Sequence, residues 1–433
     1  MQKYAKTKDS GAEWVGAIPA HWAVKPLFAL FRERQAPNYG NKETNVLSLS
    51  YGKIIRRDVE SNFGLLPESF ETYNIVEPEN IVLRLTDLQN DKRSLRCGFV
   101  CERGIITSAY LTLEKLKGAE ILPEYAFYLL HSYDMQKVFY SMGGGVRQTI
   151  KFEDFKKLPV FLPPMQEQVQ IAKALSEKLK VIGMLLAKKK VLINLLKEER
   201  TGIISRAVTK GISSDVELKS TGVAWLGKIP KHWTVLPIKR LVDIPITDGP
   251  HETPVFYDAG VPFISAEAIK NDKIDFSKQR GYISRLDYEL FSVKYKPRRG
   301  DIYMVKSGAT TGNIAMVETD AEFNIWSPLA VIRPALKAVQ PKFLFYYMKS
   351  AGFMSSVQVA WSYGTQQNIG MGVIGNLPVM LPPKEEQAAI SAFLDKRLAV
   401  FENRIAAEIA SRSLIEEYRT SLISAAVTGK VQV

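Results

Sequence analysis

Between positions 165 and 209 apolar residues recur at heptad spacing: Leu175, Ile182, Leu196 and Ile203 form one row, and Leu179, Leu186 and Ile193 the other. The pattern returns further on, where Leu394, Phe401, Ile415 and Leu422 pair with Leu398 and Ile405. Two such seams predict two long helices, each needing a helical partner. Pro163-Pro164 and Pro382-Pro383 stand where a helix start tolerates proline, and Glu167 and Glu386 follow where the helix dipole favours a carboxylate. At ~1.5 Å per residue each rod is about 60 Å long, and rods of matching length most simply form a coiled coil with each other. Polar breaks at Lys189, Arg200, Glu408, Arg412 and Arg419 read as register-setting positions, and Lys188-Lys189-Lys190 as a solvated face. Elsewhere, short runs rich in Val, Ile, Tyr and Phe predict strands at 45–50, 80–85, 104–113, 261–265, 301–305 and 329–333. Phe127-Tyr128-Leu129-Leu130 and Phe345-Tyr346-Tyr347-Met348 follow prolines in short helical patterns and are expected in the core.

The chain repeats itself. Gly11-Ala12-Glu13-Trp14-Val15-Gly16-Ala17-Ile18-Pro19-Ala20-His21-Trp22 returns as Gly222-Val223-Ala224-Trp225-Leu226-Gly227-Lys228-Ile229-Pro230-Lys231-His232-Trp233, at an offset of 211. Leu158-Pro159-Val160-Phe161-Leu162-Pro163-Pro164 with Glu167-Gln168 matches Leu377-Pro378-Val379-Met380-Leu381-Pro382-Pro383 with Glu386-Gln387, at an offset of 219 that holds through both long helices. Each copy reads as a Trp box, a long middle, a Leu-Pro-Pro box and a helix. The middles, 24–157 and 235–376, share little beyond Pro123-Glu124-Tyr125 against Pro341-Lys342-Phe343 and Gln148-Thr149-Ile150 against Gln367-Asn368-Ile369. A preserved frame with divergent middles implies one scaffold displaying two different reading surfaces.

Composition narrows the class. A length of 433 residues allows two to three domains, and 46% hydrophobic with 24% charged residues excludes a disordered or collagen-like chain. No apolar run nears the ~18 residues of a membrane span, and no apolar signal segment follows Met1, which points to the cytoplasm. The net charge of +13 favours a polyanion partner, nucleic acid before membrane. Cys97 and Cys101 lack a second Cys or His pair for zinc and read as two half-buried thiols.

Catalytic signatures fail one by one. Gly222 to Lys228 fits the opening of a P-loop, but Ile229 takes the Ser/Thr position and a proline follows. Asp215-Val216-Glu217-Leu218-Lys219 offers a nuclease-like acid-x-Lys that the first copy lacks. His21, His131, His232 and His251 are too scattered for a metal site, and the two that recur in the frame suit structural hydrogen bonds. No Gly-rich cofactor loop and no Asn/Asp-Pro-Pro-Tyr/Phe quartet of an amino-methyltransferase occurs. Neither a catalytic residue nor a metal ligand is assigned.

The doubled series of Trp box, divergent domain, Leu-Pro-x-x-Leu-Pro-Pro-x-x-Glu-Gln and long helix resembles the specificity subunit of type I restriction-modification enzymes, over essentially the whole chain. The resemblance implies an α/β (α+β) fold with two tandem-repeat target-recognition domains joined by two long helices in an antiparallel coiled coil. The expected boundaries are 1–157 and 212–376 for the recognition domains, and 158–211 and 377–433 for the helices. It further implies a non-catalytic subunit that binds double-stranded DNA at a bipartite site and recruits two methyltransferase subunits and motor-nuclease restriction subunits. S-adenosylmethionine is then expected on the methyltransferase, with no cofactor in this chain. The specificity subunit of another methyltransferase or defence complex, or a protein-binding adaptor, are the alternatives.

Base readout needs Arg or Lys for guanine and Asn or Gln for adenine. The candidates are Arg84, Lys92, Arg93, Arg96 and Gln148 in the first domain, and Lys306, Ser307, Thr310, Gln366 and Gln367 in the second. The loop Ser307-Gly308-Ala309-Thr310-Thr311-Gly312 resembles one common in such domains, whereas the first domain has Arg84 to Arg93 at the corresponding place. For Gln148 and Gln367, loop-capping stays open beside base contact.

Overall fold

The computed structural model describes residues 3–58, 69–86, 88, 95–142, 150–213, 215–223, 226–360, 362–363 and 367–432. The chain divides into two compact units, 1–190 with 410–433, and 191–409. The helices predicted from the heptads run Met165–Lys210 and Lys384–Val427, so each long helix begins in one unit and ends in the other.

The heptad rows are the buried ones. Leu175, Ile182, Ile193 and Leu196 are buried on the first helix, and Leu394, Leu398, Phe401 and Leu422 on the second. In the first unit Ile171, Leu175 and Ile182 share a core with Leu422, Ile423 and Val427; in the second, Ile204 and Val208 share one with Ile390, Leu394 and Leu398. In each unit the start of one helix thus packs with the end of the other, the antiparallel pairing that the resemblance implied. Of the polar breaks, Arg412 is exposed, and Lys189, Arg200, Glu408 and Arg419 are part-buried.

The repeated boxes fold alike. Ala23–Pro26, after the first Trp box, pairs antiparallel with Pro159–Leu162 of the first Leu-Pro-Pro box, and Thr234–Pro237 pairs in the same way with Pro378–Leu381. Each unit carries a four-stranded antiparallel sheet. In the first the order is Phe31–Glu33, Leu111–Lys115, Ile81–Leu83, Cys97–Phe99; in the second it is Thr247–Asp248, Leu329–Ile332, Ile302–Val305, Ile314–Met316. A helix starting on proline covers each sheet, Pro123–Met135 and Pro341–Met348, and its aromatic residues are largely buried. The second unit adds a three-stranded sheet and the helix Arg285–Lys294.

Two expectations need correcting. The strand foreseen at 104–113 is two, Gly104–Ile106 and Leu111–Lys115, because the Tyr110 N–H turns back onto the Thr107 carbonyl. The cysteines are not a half-buried pair: Cys97 is wholly buried in the sheet, where desolvation pushes its thiol up, and Cys101 is exposed.

Candidate nucleic-acid interface

The recurring boxes meet around one carboxylate in each unit. The buried Trp22 indole N–H donates to Glu167 Oε1 (3.1 Å), while His21 Nε2 lies 2.8 Å from Glu167 Oε2. In the second unit Trp233 donates to Glu386 Oε2 (3.0 Å) and His232 Nε2 lies 2.8 Å from the same atom. The next residue is a buried glutamine that ties two segments together. Gln168 accepts from the Leu122 N–H (2.8 Å) and donates to the Pro163 carbonyl (2.9 Å); Gln387 accepts from the Gln340 N–H (2.8 Å) and donates to the Pro382 carbonyl (2.9 Å). The two histidines therefore hold the frame, and so do the Glu-Gln pairs. This clamp fixes the end of the proline-started helix on which each sheet rests.

In the second unit the sheet strand Ile302–Val305 runs directly into the loop of interest. Gly308 and Gly312 take φ of 99° and 93°, which side chains other than hydrogen resist. The loop closes on itself and on the segment around Gln367: Thr311 Oγ1 donates to the Gly308 carbonyl (2.7 Å), the Gly308 N–H to the Gln367 carbonyl (3.1 Å), and the Ile369 N–H to the Lys306 carbonyl (2.9 Å). Lys306, Ser307 and Thr310 thus meet Gln367, which is far away in sequence, with Thr310 and Gln367 exposed. Gln366 lies outside the described residues.

Sequence reasoning missed the acid behind this loop. Asp248, on the edge strand, is 1% exposed, with Lys294 Nζ 2.6 Å from Oδ1, and Lys306 Nζ 3.2 Å and His251 Nε2 3.1 Å from Oδ2. Burial by itself would raise this carboxyl; the ammonium groups of Lys294 and Lys306 outweigh it and hold the group below the usual carboxylate range. Asp248-Gly249-Pro250-His251 reads as an ordinary turn, and Lys294 sits 46 residues away, so no local pattern gave the cluster away.

The first unit builds the corresponding place differently. The Arg84 N–H donates to the Arg96 carbonyl (2.8 Å), and the Ile150 N–H to the Leu85 carbonyl (3.0 Å), the counterpart of the Ile369 bond. Arg84 is part-exposed. Arg96, foreseen as a base contact, is wholly buried: its guanidinium donates to the carbonyls of Thr86 (2.7 Å) and Arg84 (3.2 Å) and to the Tyr140 hydroxyl (3.1 Å). Its own N–H donates to Asp134 Oδ2 (2.5 Å). In this arrangement Arg96 is tied to the backbone at Arg84 and Thr86 instead of reaching a base edge. Lys92, Arg93 and Gln148 lie outside the described residues. Among the described residues no group of His, Cys, Asp and Glu could hold a metal ion, and no helix is long and apolar enough to cross a membrane.

Residues 102–194 and 230–411 match the model of the type I restriction modification DNA specificity domain. The type I restriction enzyme MjaVIII specificity subunit of Methanocaldococcus jannaschii is 26% identical over 370 residues, covering 83% of this chain and 81% of that protein. The putative type I restriction enzyme MjaX specificity subunit of the same organism is 26% identical over 319 residues, covering 72% and 69%. In fold, a solved chain from a study of complex assembly and conformational transition of the type I R-M system superimposes with a TM-score of 0.68 at 16% identity, over 96% of this chain and 99% of that one. The chain belongs to the type I restriction-modification DNA specificity family.

Proposed function

We propose that this chain chooses the DNA sequence on which a type I restriction-modification complex acts, each unit reading one half of a bipartite double-stranded target. The observation that carries this reading is a duplicated frame bearing unlike loops. The Trp-His-Glu-Gln clamp recurs in both units, whereas the segments after Leu83 and Val305 differ in length, sequence and supporting contacts. A scaffold that only joined proteins would have no need of polar donors gathered on the glycine-shaped loop of the second unit, and the charge of +13 suits a phosphate backbone. In this reading the chain performs no chemistry. Two methyltransferase subunits carry S-adenosylmethionine and modify the site, motor-nuclease subunits cut unmodified DNA, and the assembly works in the cytoplasm, where the DNA is.

The test is an exchange. Replacing residues 235–376 with the matching segment of another family member, in the complete methyltransferase complex, is expected to change one half of the methylated motif and leave the other intact. Methylome sequencing reads the outcome. A hybrid in which both halves changed together would refute the division of labour.

A further inference from the structure

We propose that Asp248 is a positioning residue for sequence readout: it holds the Lys306 ammonium at a fixed point beside the Ser307–Gly312 loop, where it donates to an acceptor on a base edge of the second half-site. This rests on the reading that residues 235–376 recognise that half-site.

Geometry supports the role. A lysine is a flexible point charge, and a free one at a DNA surface settles on phosphate, which carries no sequence information. Lys306 is not free in this way. Its side chain is only 15% exposed, and its Nζ lies 3.2 Å from an acid that is itself 1% exposed. Both backbones are pinned. The Lys306 N–H donates to the Pro328 carbonyl (2.8 Å) and the Lys306 carbonyl accepts from Ile369 (2.9 Å). On the other side, a Cβ added at Gly249 would stand 1.9 Å from the Ile325 carbonyl oxygen, so the chain next to Asp248 lies hard against its neighbour. The Pro250 carbonyl accepts from the Ser327 N–H (3.2 Å), closing the turn. The acid cannot follow a wandering lysine, so the ion pair favours one place for the ammonium.

Charge balance points the same way. Lys294 Nζ, 2.6 Å from the other carboxylate oxygen, keeps the cluster net positive although one charge of the pair is cancelled. An ammonium has three donors, so a carboxylate on one side and a guanine O6 or N7 on the other are compatible. Ser307 and Thr310 in this loop, and Gln367 against it, would complete a hydrogen-bonding pattern.

The experiment uses the chain assembled with its methyltransferase subunits. The probes are three duplexes: one carrying the motif found by methylome sequencing, one with the half-site assigned to 235–376 scrambled, and one with the other half scrambled. Asp248→Asn is expected to reduce discrimination against the first scrambled duplex at least tenfold. Affinity for random DNA should hold or rise, with a salt slope steeper by about 0.9 as the released lysine finds a phosphate. Lys306→Gln should lose the same discrimination, and the double variant should lose no more than either single one, because the acid acts through the lysine. Unchanged discrimination against the third duplex shows that the complex is intact. Additive losses, a parallel fall on specific and random DNA, or full discrimination in Lys306→Gln would each overturn the proposal. If the unaltered complex itself fails to discriminate against the duplex scrambled in the half-site assigned to 235–376, the reading beneath it has failed instead.

Discussion

Both units press the tip of a β-hairpin against the proline-started helix or the residue that follows it, but they fasten it with different chemistry. In the first, the strands Leu47–Ser50 and Lys53–Arg56 are joined by Tyr51 and Gly52, with φ of 47° and 77°. In the second, Ile269–Lys270 and Lys273–Ile274 are joined by Asn271 and Asp272, with φ of 50° and 65°. Positive φ at both central residues is the turn that matches strand twist, and Gly, Asn and Asp are the residues that adopt it most readily. The two tips meet corresponding positions. Gly52 lies against buried His131, to which a Cβ there would come within 3.3 Å, while Asp272 Oδ2 lies 2.6 Å from Lys349 Nζ and 2.7 Å from Arg200 Nη2. Arg200 also reaches Glu402 Oε1 (3.3 Å), whereas its equivalent in the first unit, Arg419, brings its charge to bear on the His131 imidazole. The backbone of the contact is thus duplicated while its side chains are not. Geometry fixes where the hairpin must touch; either packing or charge can hold it there.

If the shared clamp matters more than the divergent anchors, removing it should have the largest effect and the same size in both units. Trp22→Ala and Trp233→Ala each empty a wholly buried site and leave Glu167 or Glu386 without its indole donor. Each should cost about 3–5 kcal/mol, confined to its own unit. Hydrogen exchange resolved along the chain measures this, with protection falling at Ile81–Leu83 for the first variant and at Ile302–Val305 for the second. A loss in one unit much greater than in the other would show that the clamp is not equivalent in the two.

The frame was legible in the sequence because its signals are local. Heptad rows and prolines at the helix starts need no knowledge of distant partners, and the repeated boxes declare each other. What the boxes do was not legible: Trp22 and Glu167 stand 145 residues apart, and nothing in either motif names the other as its partner. Arg96 looked like part of a basic cluster with Lys92 and Arg93, yet its partner Tyr140 comes 44 residues later. Asp248 escaped for the same reason, since a buried acid is recognised by what covers it. The break after Ile106 escaped because the Thr107–Tyr110 turn contains neither glycine nor proline. Periodicity shows which face is inside; it does not show which polar group has been taken inside with it.

Acid should separate the two anchors. Burial, helped by the Arg419 charge, pulls His131 down from 6.5 to about 4. Between those values the unfolded chain takes up a proton that the folded unit refuses, so the first unit loses stability as pH falls from 6.5 toward 4. By pH 5 the loss should reach about 2 kcal/mol. Asp272 behaves otherwise. Burial alone would raise its carboxyl, but Lys349 and Arg200 overcome this and hold it below its ordinary 3.8, so its contribution persists until the pH drops through that depressed value. Comparing hydrogen exchange at pH 7 and pH 5 should therefore show the first hairpin loosening while the second is unchanged. In His131→Met the difference should vanish; if it survives, another group carries the dependence.

The smallest contrast is between the two equivalent arginines. Arg200→Ala removes one of the two cations on Asp272 and the tie to Glu402, leaving Lys349 to hold the tip. These groups are part-exposed, so the loss should be about 1–2 kcal/mol, between the values for exposed and buried pairs. Among the described residues, Arg419→Ala removes no ion pair from its hairpin. At pH 7, where His131 is neutral, it should change the stability of the first unit by less than about 0.5 kcal/mol. It should also let the imidazole accept a proton more easily, because one of the two causes holding its pKa down is gone. The acid sensitivity of the first unit would then shrink without disappearing, burial being the larger cause. Thermal melts of the two variants at pH 7, followed by His131 titration in Arg419→Ala by proton NMR, measure both effects. Equal losses at pH 7 would mean that both arginines serve the helix seam, and that the ion pairs at Asp272 add nothing to the second anchor.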